Sequence, residues 1–225
     1  TRAMTVTYFS KSSSIGPSSR YRVFQFLPQF QVEGIDCRVE PLFGETYFSI
    51  LEVRSRALQT CLKIPYVLAR FLKRLGTVLM LNRQDLVVIE GPLFPYAPPV
   101  VERVLRRLGQ RVVVEMDDAI YLTHGHEAKI PALLKIATGV IVGNDRLAAY
   151  ARQCSSYVSV VPTVVDTDRF VPLASQAATS PCHADEAITI VWMGLAYNLK
   201  YLHVLVPALR TLQSQYHVRL RVVCS

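Results

Sequence analysis

The sequence predicts an α/β fold, in which a parallel sheet lies between helices on both of its faces. Short runs rich in β-branched residues are apolar along their whole length, which is typical of strands that are buried on both faces. Longer stretches with apolar residues at helical spacing separate these runs. The regular alternation of the two kinds of segment indicates βαβ units, and therefore a Rossmann-like parallel sheet.

The individual elements follow in chain order. The predicted strands are Thr5–Ser10, Asp36–Leu42, Asp85–Glu90, Arg111–Met116, Gly139–Val142 and Tyr157–Val161. The helices predicted to cover them include Ser18–Glu33, Pro98–Leu108, Lys129–Ala137 and Asp145–Gln153. Pro28 lies inside the first of these helices, and we expect it to kink or end that helix.

Most of the positive charge lies between Ser49 and Arg83. The chain has 225 residues and a net charge of +8, from 25 Lys and Arg against 17 Asp and Glu. Residues 49–83 hold seven basic residues and one acid, Glu52. Pro65 is expected to split this segment into two helices, because proline removes a helical hydrogen bond.

The second of these helices is predicted to be amphipathic. Its apolar residues are Val67, Leu68, Phe71, Leu72 and Leu75, and we expect this face to pack on the sheet. The opposite face carries Arg70, Lys73 and Arg74. A solvated basic face of this kind favours an anionic membrane surface as a partner of residues 49–83.

Composition excludes several classes of protein. Apolar residues make up 51% of the chain and charged residues 19%, so the chain is not globally disordered. No uncharged apolar run reaches the roughly 18 residues of a spanning helix.

The sequence shows no signal-peptide pattern, and its five cysteines form no CxxC pair. We therefore expect reduced thiols in a cytoplasmic protein, peripheral to the inner face of the membrane. Nucleic acid is not an expected partner, because no helix-turn-helix, RRM or zinc pattern accompanies the charge.

A second domain is predicted after a linker. Residues 4–170 form the first domain, and Val171–Ala187 is rich in Pro, Ser and Ala without strand or helix periodicity. The βαβ pattern then restarts over residues 188–225, as the strand Ile188–Trp192, the helix Leu199–Gln213 and the strand Val218–Val223. This is an incomplete domain, so the open edge of its last strand is expected to pair with another chain and form a homodimer.

The loop after the first predicted strand is a candidate phosphate site. Gly16, Ser18 and Ser19 precede a helix, whose first N–H groups are free to bind an anion. Arg20 could grip a phosphate or carboxylate with two parallel hydrogen bonds. The loop lacks a GxGxxG pattern, which argues against a nicotinamide dehydrogenase. The alternatives are a plain capped loop and two solvated arginines, Arg20 and Arg22.

Carboxylates and histidines follow the fourth predicted strand. Asp117 and Asp118 lie where ligands gather in open α/β sheets, and they could bind ligand hydroxyls, orient a base or cap the next helix. His124 and His126 flank Gly125 in the same loop. Two histidines alone make no metal site, so they are either ligand-binding or surface residues.

Several stretches together resemble one family in its order along the chain. They are Ser12–Val23, Asp85–Pro92, Val112–Tyr121, Gly139–Arg152, Val160–Pro172 and Ile190–Leu202. They are similar to the retaining GT-B glycosyltransferases of family 4, which use nucleotide-sugars. The most specific stretch is VVPTVVDTDRF, which resembles the family's "PNGVD...F" crossing into the second domain.

The resemblance implies an acceptor-side first domain and a donor-side second domain that face each other across a cleft. It implies that Gly16, Ser18, Ser19 and Arg20 bind acceptor and phosphate, that Asp117, Asp118 and His124 are catalytic, and that Gly194 and Lys200 bind the donor. The implied partners are a nucleotide-sugar and a saccharide or lipid-linked acceptor, with no cofactor and no bound metal.

The chain departs from the family in two ways. The family's pair of downstream glutamates is absent, and no basic residue lies at Leu195–Asn198, where the family has an arginine. We therefore expect the N-terminal piece of an enzyme of polysaccharide or glycolipid biosynthesis, which does not turn over alone. The alternatives are a nucleotide-sugar 2-epimerase of the same fold and a non-catalytic basic module that binds membrane surfaces.

Overall fold

A sheet of six parallel strands forms the centre of the first of two units, Thr1–Phe170 and Val171–Ser225. The structure is a computed structural model, and it describes residues 4–95, 97–171, 187–194 and 196–224. The strands of this sheet are β1 (Met4–Phe9), β2 (Ile35–Val39), β3 (Leu86–Glu90), β4 (Arg111–Met116), β5 (Gly139–Val142) and β6 (Val158–Val160). Their order is β2-β1-β3-β4-β5-β6, which confirms the predicted α/β fold.

Helices cover both faces of this sheet. They are α1 (Pro17–Arg22), α2 (Leu27–Val32), α3 (Glu45–Leu51), α4 (Arg56–Leu79), α5 (Val100–Arg107), α6 (Lys129–Ile136) and α7 (Asp145–Ala151). Short 3₁₀ helices occur at Phe24–Phe26 and Ile120–Leu122. The chain moves from β1 to β2 in one direction, then crosses over β1 to β3 and continues in the other direction to β6. Right-handed crossovers therefore place α1 and α2 on one face and α4 to α7 on the opposite face.

Each face has its own apolar core. Under α4 to α7, β-strand residues such as Ile89 and Val112 are fully buried against Leu105 and Leu133. Under α1 and α2, Val6 and Val88 pack against Val23 and its partly buried neighbours. The continuous apolar runs of β3 and β4 serve both cores, because successive side chains point to opposite faces.

The helix predicted over Ser18–Glu33 is interrupted, but not at Pro28. The break comes at Val23, whose backbone leaves the helical region (φ −134°) before the 3₁₀ turn. Pro28 does not end a helix but lies in the first turn of α2. That position suits proline, because its missing N–H would have no helical partner there.

The predicted split of the basic segment is wrong. Residues 56–79 form one continuous helix, α4, and Pro65 lies within it. Pro65 is on the exposed side of the helix, where water can solvate the carbonyl that loses its hydrogen bond. Ser55 caps the N-terminus by accepting a hydrogen bond from the Leu58 N–H at 3.4 Å.

The predicted orientation of this helix is also wrong. Leu68 and Leu72 are 58% and 61% exposed, whereas Arg74 is 5% exposed. Arg74 donates to the carbonyl oxygens of Ser10 at 2.6 Å and Glu40 at 2.8 Å, and Arg70 donates to that of Leu42 at 2.7 Å. The carbonyls at the strand ends need donors once they are buried, and arginine supplies several on a long stem. Two basic residues therefore point inward, where an apolar face was expected.

The second unit contains a two-stranded parallel sheet within its described residues. Strands β7 (Ile188–Gly194) and β8 (Val218–Cys224) pair in parallel, from Ile188 opposite Val218 to Gly194 opposite Cys224. Between them lie a 3₁₀ helix (Ala196–Leu205) and α8 (Val206–Gln215). One helix was expected here; Pro207, in the first turn of α8, marks where a new helix starts. The predicted linker, Val171–Ala187, lies outside the described residues except at its two ends.

Within the described ranges, no helix combines the length and the apolarity that crossing a lipid bilayer requires.

Candidate ligand site at the carboxyl edge of the sheet

A cavity of about 600 Å³ opens at the carboxyl ends of β1, β3 and β4. Parallel strands end at this edge, and the loops that leave them diverge and create a crevice. All of its walls belong to the first unit. The lining residues are Lys11, Ser18, Leu42, Phe43, Tyr47, Lys63, Val67, Phe71, Arg74, Glu90, Gly91, Pro92, Pro95, Glu115, Met116, Asp117, Asp118, Ile120, Thr123 and His126.

Arg74 fixes the floor of the cavity. Its guanidinium donates to the carbonyl oxygens of Leu93 at 3.1 Å, Ser10 at 2.6 Å and Glu40 at 2.8 Å, and these three residues follow β3, β1 and β2. The pKa of Arg74 is lowered to about 9, mainly by burial and also by the nearby Arg70, against the opposing effect of Glu40 and Glu90. One buried cation thus holds together the loops that leave three strands.

Serine hydroxyls of α1 bind the carboxylates of two strand ends. The Ser18 hydroxyl donates to Asp117, and the Ser19 hydroxyl donates to Glu90 at 2.7 Å. Glu90 also accepts from the Lys11 N–H at 3.0 Å, while the Ser12 N–H donates to the Ser19 Oγ at 3.1 Å. The loop after β1 is therefore tied to the sheet edge by its own polar groups.

A buried hydrogen-bonded pair, Arg22 and Glu115, lies beneath these contacts. The Arg22 Nε donates to Glu115, and both side chains are less than 10% exposed. Arg22 also donates to the Val161 carbonyl at 2.6 Å, which joins α1 to the segment after β6. Burial and, to a smaller extent, the nearby Asp117 raise the pKa of Glu115 to about 8. Burial lowers the pKa of Arg22, against the opposing effect of Asp117 and Glu90.

Asp118 and His126 are two further polar residues of the cavity wall. Asp118 is exposed at the cavity wall, and its carboxylate forms no hydrogen bond or ion pair with any residue that the structure describes. His126 is 7% exposed, and burial lowers the pKa of its imidazole, with Lys129 lowering it further. A mostly neutral imidazole at pH 7 can take or give a proton.

The opposite wall of the cavity is aromatic. Phe43 stacks on Tyr47 with ring centroids 4.1 Å apart, and Phe71 meets Phe94 edge-on at 5.1 Å. The Lys63 ammonium lies 5.7 Å from the centroid of the Tyr47 ring. The cavity therefore joins a polar wall of carboxylates to an apolar wall, which suits a ligand that has both kinds of surface.

The structure brings some of the predicted site residues together and leaves others apart. Ser18, Asp117 and Asp118 line the cavity, and Ser19 is buried behind it. Gly16 is buried too, and a Cβ there would lie 1.7 Å from the Ser12 Oγ. Gly16 is thus needed for packing of the loop, and its N–H already donates to the Ser13 carbonyl at 3.0 Å.

Arg20 and His124 do not line the cavity. Arg20 is exposed, with its guanidinium 5.1 Å from the Tyr21 ring centroid. His124 is fully exposed, and its Nδ1 lies 3.7 Å from the nearest oxygen of Glu127. The arginine and the histidine that are buried in this region are instead Arg22 and His126, each two residues further along the chain.

The predicted donor residues lie in the second unit. Gly194 ends β7, and a Cβ there would lie 2.8 Å from the Trp192 ring, so glycine is required by this contact. Lys200 is exposed in the 3₁₀ helix, with its ammonium 5.1 Å from the Tyr201 ring centroid. Leu195, next to Gly194, lies outside the described residues.

Sequence reasoning missed Arg74, Glu90 and the pairing of Glu115. One signal was present: Glu90 and Glu115 each stand near the end of a strand that is otherwise apolar, and the register pairs them directly. A carboxylate in such a run is buried at the sheet edge and needs a partner.

Among the described residues, no group of three or more His, Cys, Asp and Glu side chains is arranged to hold a metal ion. No model of a known protein family and no curated protein matches the sequence.

Proposed function

We propose that the chain is the acceptor-side half, with the start of the donor-side half, of a retaining glycosyltransferase that acts in polysaccharide or glycolipid biosynthesis. The observation that carries the proposal is the cavity at the carboxyl edge of the sheet, which gathers Ser18, Asp117 and Asp118 from two separate stretches of the sequence resemblance. Its polar wall suits a sugar rich in hydroxyl groups.

The proposed roles follow from the contacts of each side chain. Asp118 accepts a hydrogen bond from an acceptor hydroxyl, because its carboxylate is exposed and uncommitted within the described residues. His126 lies on the same wall. Asp117 positions the wall through Ser18. Such positioning is the main contribution that a protein makes to group transfer between two bound substrates.

The donor would be a nucleotide-sugar bound by the second unit, with Gly194 allowing close approach and Lys200 countering the charge of the leaving diphosphate. The sugar would pass from the diphosphate to the acceptor hydroxyl, and the hydroxyl proton would leave with solvent or the diphosphate.

The aromatic wall favours a lipid-linked acceptor over a free saccharide. Phe43, Tyr47 and Phe71 offer a surface for an alkyl chain beside the carboxylates. We propose a cytoplasmic location for this chemistry; the four described cysteines, Cys37, Cys61, Cys154 and Cys224, are all unpaired, as expected in a reducing compartment.

Turnover is tested on the longer protein in which this chain continues into a complete donor-side domain. It is incubated with a panel of nucleotide-sugars and a lipid extract, and nucleoside diphosphate release and sugar transfer are measured. Release with one donor and transfer to a lipid is the expected result. Conversion of UDP-N-acetylglucosamine to its C2 epimer would instead identify an epimerase, and inactivity in both assays would contradict an enzyme.

Binding is tested on the chain itself. Alkyl glycosides are expected to bind more tightly than the same free sugars by isothermal calorimetry, because they use both walls. Asp118→Asn is expected to weaken binding about tenfold, since a hydrogen bond to a charged group contributes about 1.5–3 kcal/mol. Asp36→Asn, at the opposite end of the sheet, is the matched control. Equal affinities of the two variants would remove Asp118 from the site.

A further inference from the structure

The outward face of α4 is a long apolar surface. We name it the α4 stripe, and its members are Leu58, Leu62, Ile64, Leu68, Leu72, Leu75 and Leu79. Each of these side chains is between 38% and 78% exposed. The last four are spaced by four, three and four residues, so they lie on one side of a helix about 36 Å long.

The first unit does not need this stripe for its own core. The inner side of α4 already contributes Phe71, Arg74 and Val78 to the sheet face. A helix on the surface of a globular protein normally turns its apolar side to the core. Helix α4 instead exposes its leucines and buries Arg74 beside Phe71 and Val78. An exposed apolar surface of this length, rimmed by polar residues, marks an interaction site.

Helix α5 also exposes apolar side chains on this face of the sheet. Helix α5 covers the same face of the sheet, and it exposes Val100, Val104 and Leu108 at a spacing of four residues. Arg103 and Arg107 are exposed between them. Two helices on this face of the sheet, α4 and α5, therefore present apolar side chains outward, and α5 adds positive charge.

The charges around the stripe decide between two occupants. Arg54, Arg56, Lys73 and Arg83 are exposed before, on and after α4, and Glu52 is the one exposed acid in residues 49–83. A second copy of the chain would bring these cations close to their own copies. Anionic lipid head groups would instead neutralise them, at about 1 kcal/mol for each residue near the surface.

We propose that α4 docks onto an anionic membrane surface as an interfacial helix, with the α4 stripe below the head groups and the basic residues among them. The arrangement is that of amphipathic helices that lie in the plane of the interface. It differs from the sequence-based expectation, because the apolar side rather than the basic side of the helix meets the lipid.

Docking would place the cavity beside the membrane. Lys63, Val67 and Phe71, on the inner side of α4, line the cavity. The lipid surface would then be separated from the cavity by about one helix diameter, roughly 10 Å. If the proposed function holds, a cavity in this position would take its acceptor from the membrane lipids. The docking itself does not depend on that function.

Co-sedimentation with vesicles tests the docking. The whole chain is mixed with vesicles of phosphatidylcholine alone or with about a third of phosphatidylglycerol, and is expected to sediment with the anionic vesicles. The Leu68→Ser/Leu72→Ser variant is expected to lower the partition coefficient more than tenfold, because each leucine loses the transfer free energy of an apolar side chain. The control, Val32→Ser/Tyr157→Ser, changes two side chains outside α4 and α5 that are more exposed than Leu68 and Leu72.

Each outcome is decisive once circular dichroism shows that the variants are folded. Loss of binding in the stripe variant alone supports the proposal. Binding that both variants retain, or absence of binding to all vesicles, overturns it. If light scattering shows a dimer that only the Leu68→Ser/Leu72→Ser variant dissociates, the α4 stripe binds a second copy of the chain. That result also overturns the proposal. Asp118→Asn is expected to retain vesicle binding, so failure of the proposed function remains distinguishable from failure of docking.

Discussion

The buried pair of Arg22 and Glu115 links the stability of the chain to pH. Burial raises the pKa of Glu115 to about 8, well above its ordinary value of 4.5 in an unfolded chain. Between these two values the folded state holds a proton that the unfolded state releases. The contribution of Glu115 to the free energy of unfolding is therefore fully present below about pH 4.5 and is lost as pH rises through 8, by about 1.4 kcal/mol per pH unit.

Glu115→Gln is expected to remove this slope. The glutamine carbonyl still accepts from the Arg22 Nε, but it does not titrate. The difference in unfolding free energy between the natural chain and the variant should change across the window from about pH 5 to 8 and stay constant outside it. Urea unfolding at a series of pH values measures it, with Glu52→Gln as an exposed control. Parallel curves for the natural chain and Glu115→Gln would show that Glu115 is ionised throughout.

The position of a site residue could be predicted where it directly follows a predicted strand. Asp117 and Asp118 follow an apolar strand, and Ser18 follows the loop after another, so the common edge of a parallel sheet brings them near one cavity. Arg22 and Arg74 were not predictable in this way. Which of several arginines turns inward depends on where the buried carbonyls and carboxylates lie in the folded chain, and sequence spacing does not show that.

Helix α4 carries an internal proline at a cost. Pro65 removes one hydrogen bond in the middle of a helix of 24 residues, yet the helix continues. Contacts of residues that follow Pro65 hold the helix in place: the Tyr66 hydroxyl accepts from the Gly44 N–H at 3.2 Å, and Arg70 and Arg74 bind the strand-end carbonyls. Tertiary contacts of this kind override local helix propensity.

Pro65→Ala is expected to stabilise the first unit by about 2 kcal/mol. Alanine is about 3 kcal/mol more favourable than proline within a helix, and the greater freedom of the unfolded chain offsets about 1 kcal/mol. Pro28→Ala is the matched control, because Pro28 lies in the first turn of α2 and costs no hydrogen bond. Urea unfolding compares the two variants. A decrease in stability for Pro65→Ala would show that the helix needs a bend at this position.

Strands were easier to predict than helices. The bounds of β4 and β5 agree with the sequence prediction, because runs that are apolar on both sides fit little else than a buried parallel strand. Residues 18–33 and 199–213 were each predicted as one helix, and each contains a 3₁₀ segment. Helical spacing identifies these regions, but the point where one turn tightens depends on packing that the pattern does not record.

The two units differ in how completely they bury their strands. The first has a six-stranded sheet with a core on each face. In the second, β7 and β8 pair only with each other within the described residues, and Val191, Met193, Leu220 and Val222 are exposed. A two-stranded sheet with apolar side chains exposed is marginal by itself, and its outer edges offer unpaired backbone groups to another chain.

The whole chain is therefore expected to self-associate through β8 as its concentration rises. Light scattering should show an average mass that grows with concentration, since the edge of β8 can add strands from a second copy. Val222→Lys, on this strand, is expected to raise the dissociation constant at least tenfold, because lysine on an edge opposes pairing. Val32→Lys, on α2 in the first unit, is the control. If the Leu68→Ser/Leu72→Ser variant abolishes association while Val222→Lys leaves it unchanged, the contact lies on the α4 stripe. A chain that stays monomeric at all concentrations contradicts pairing through β8.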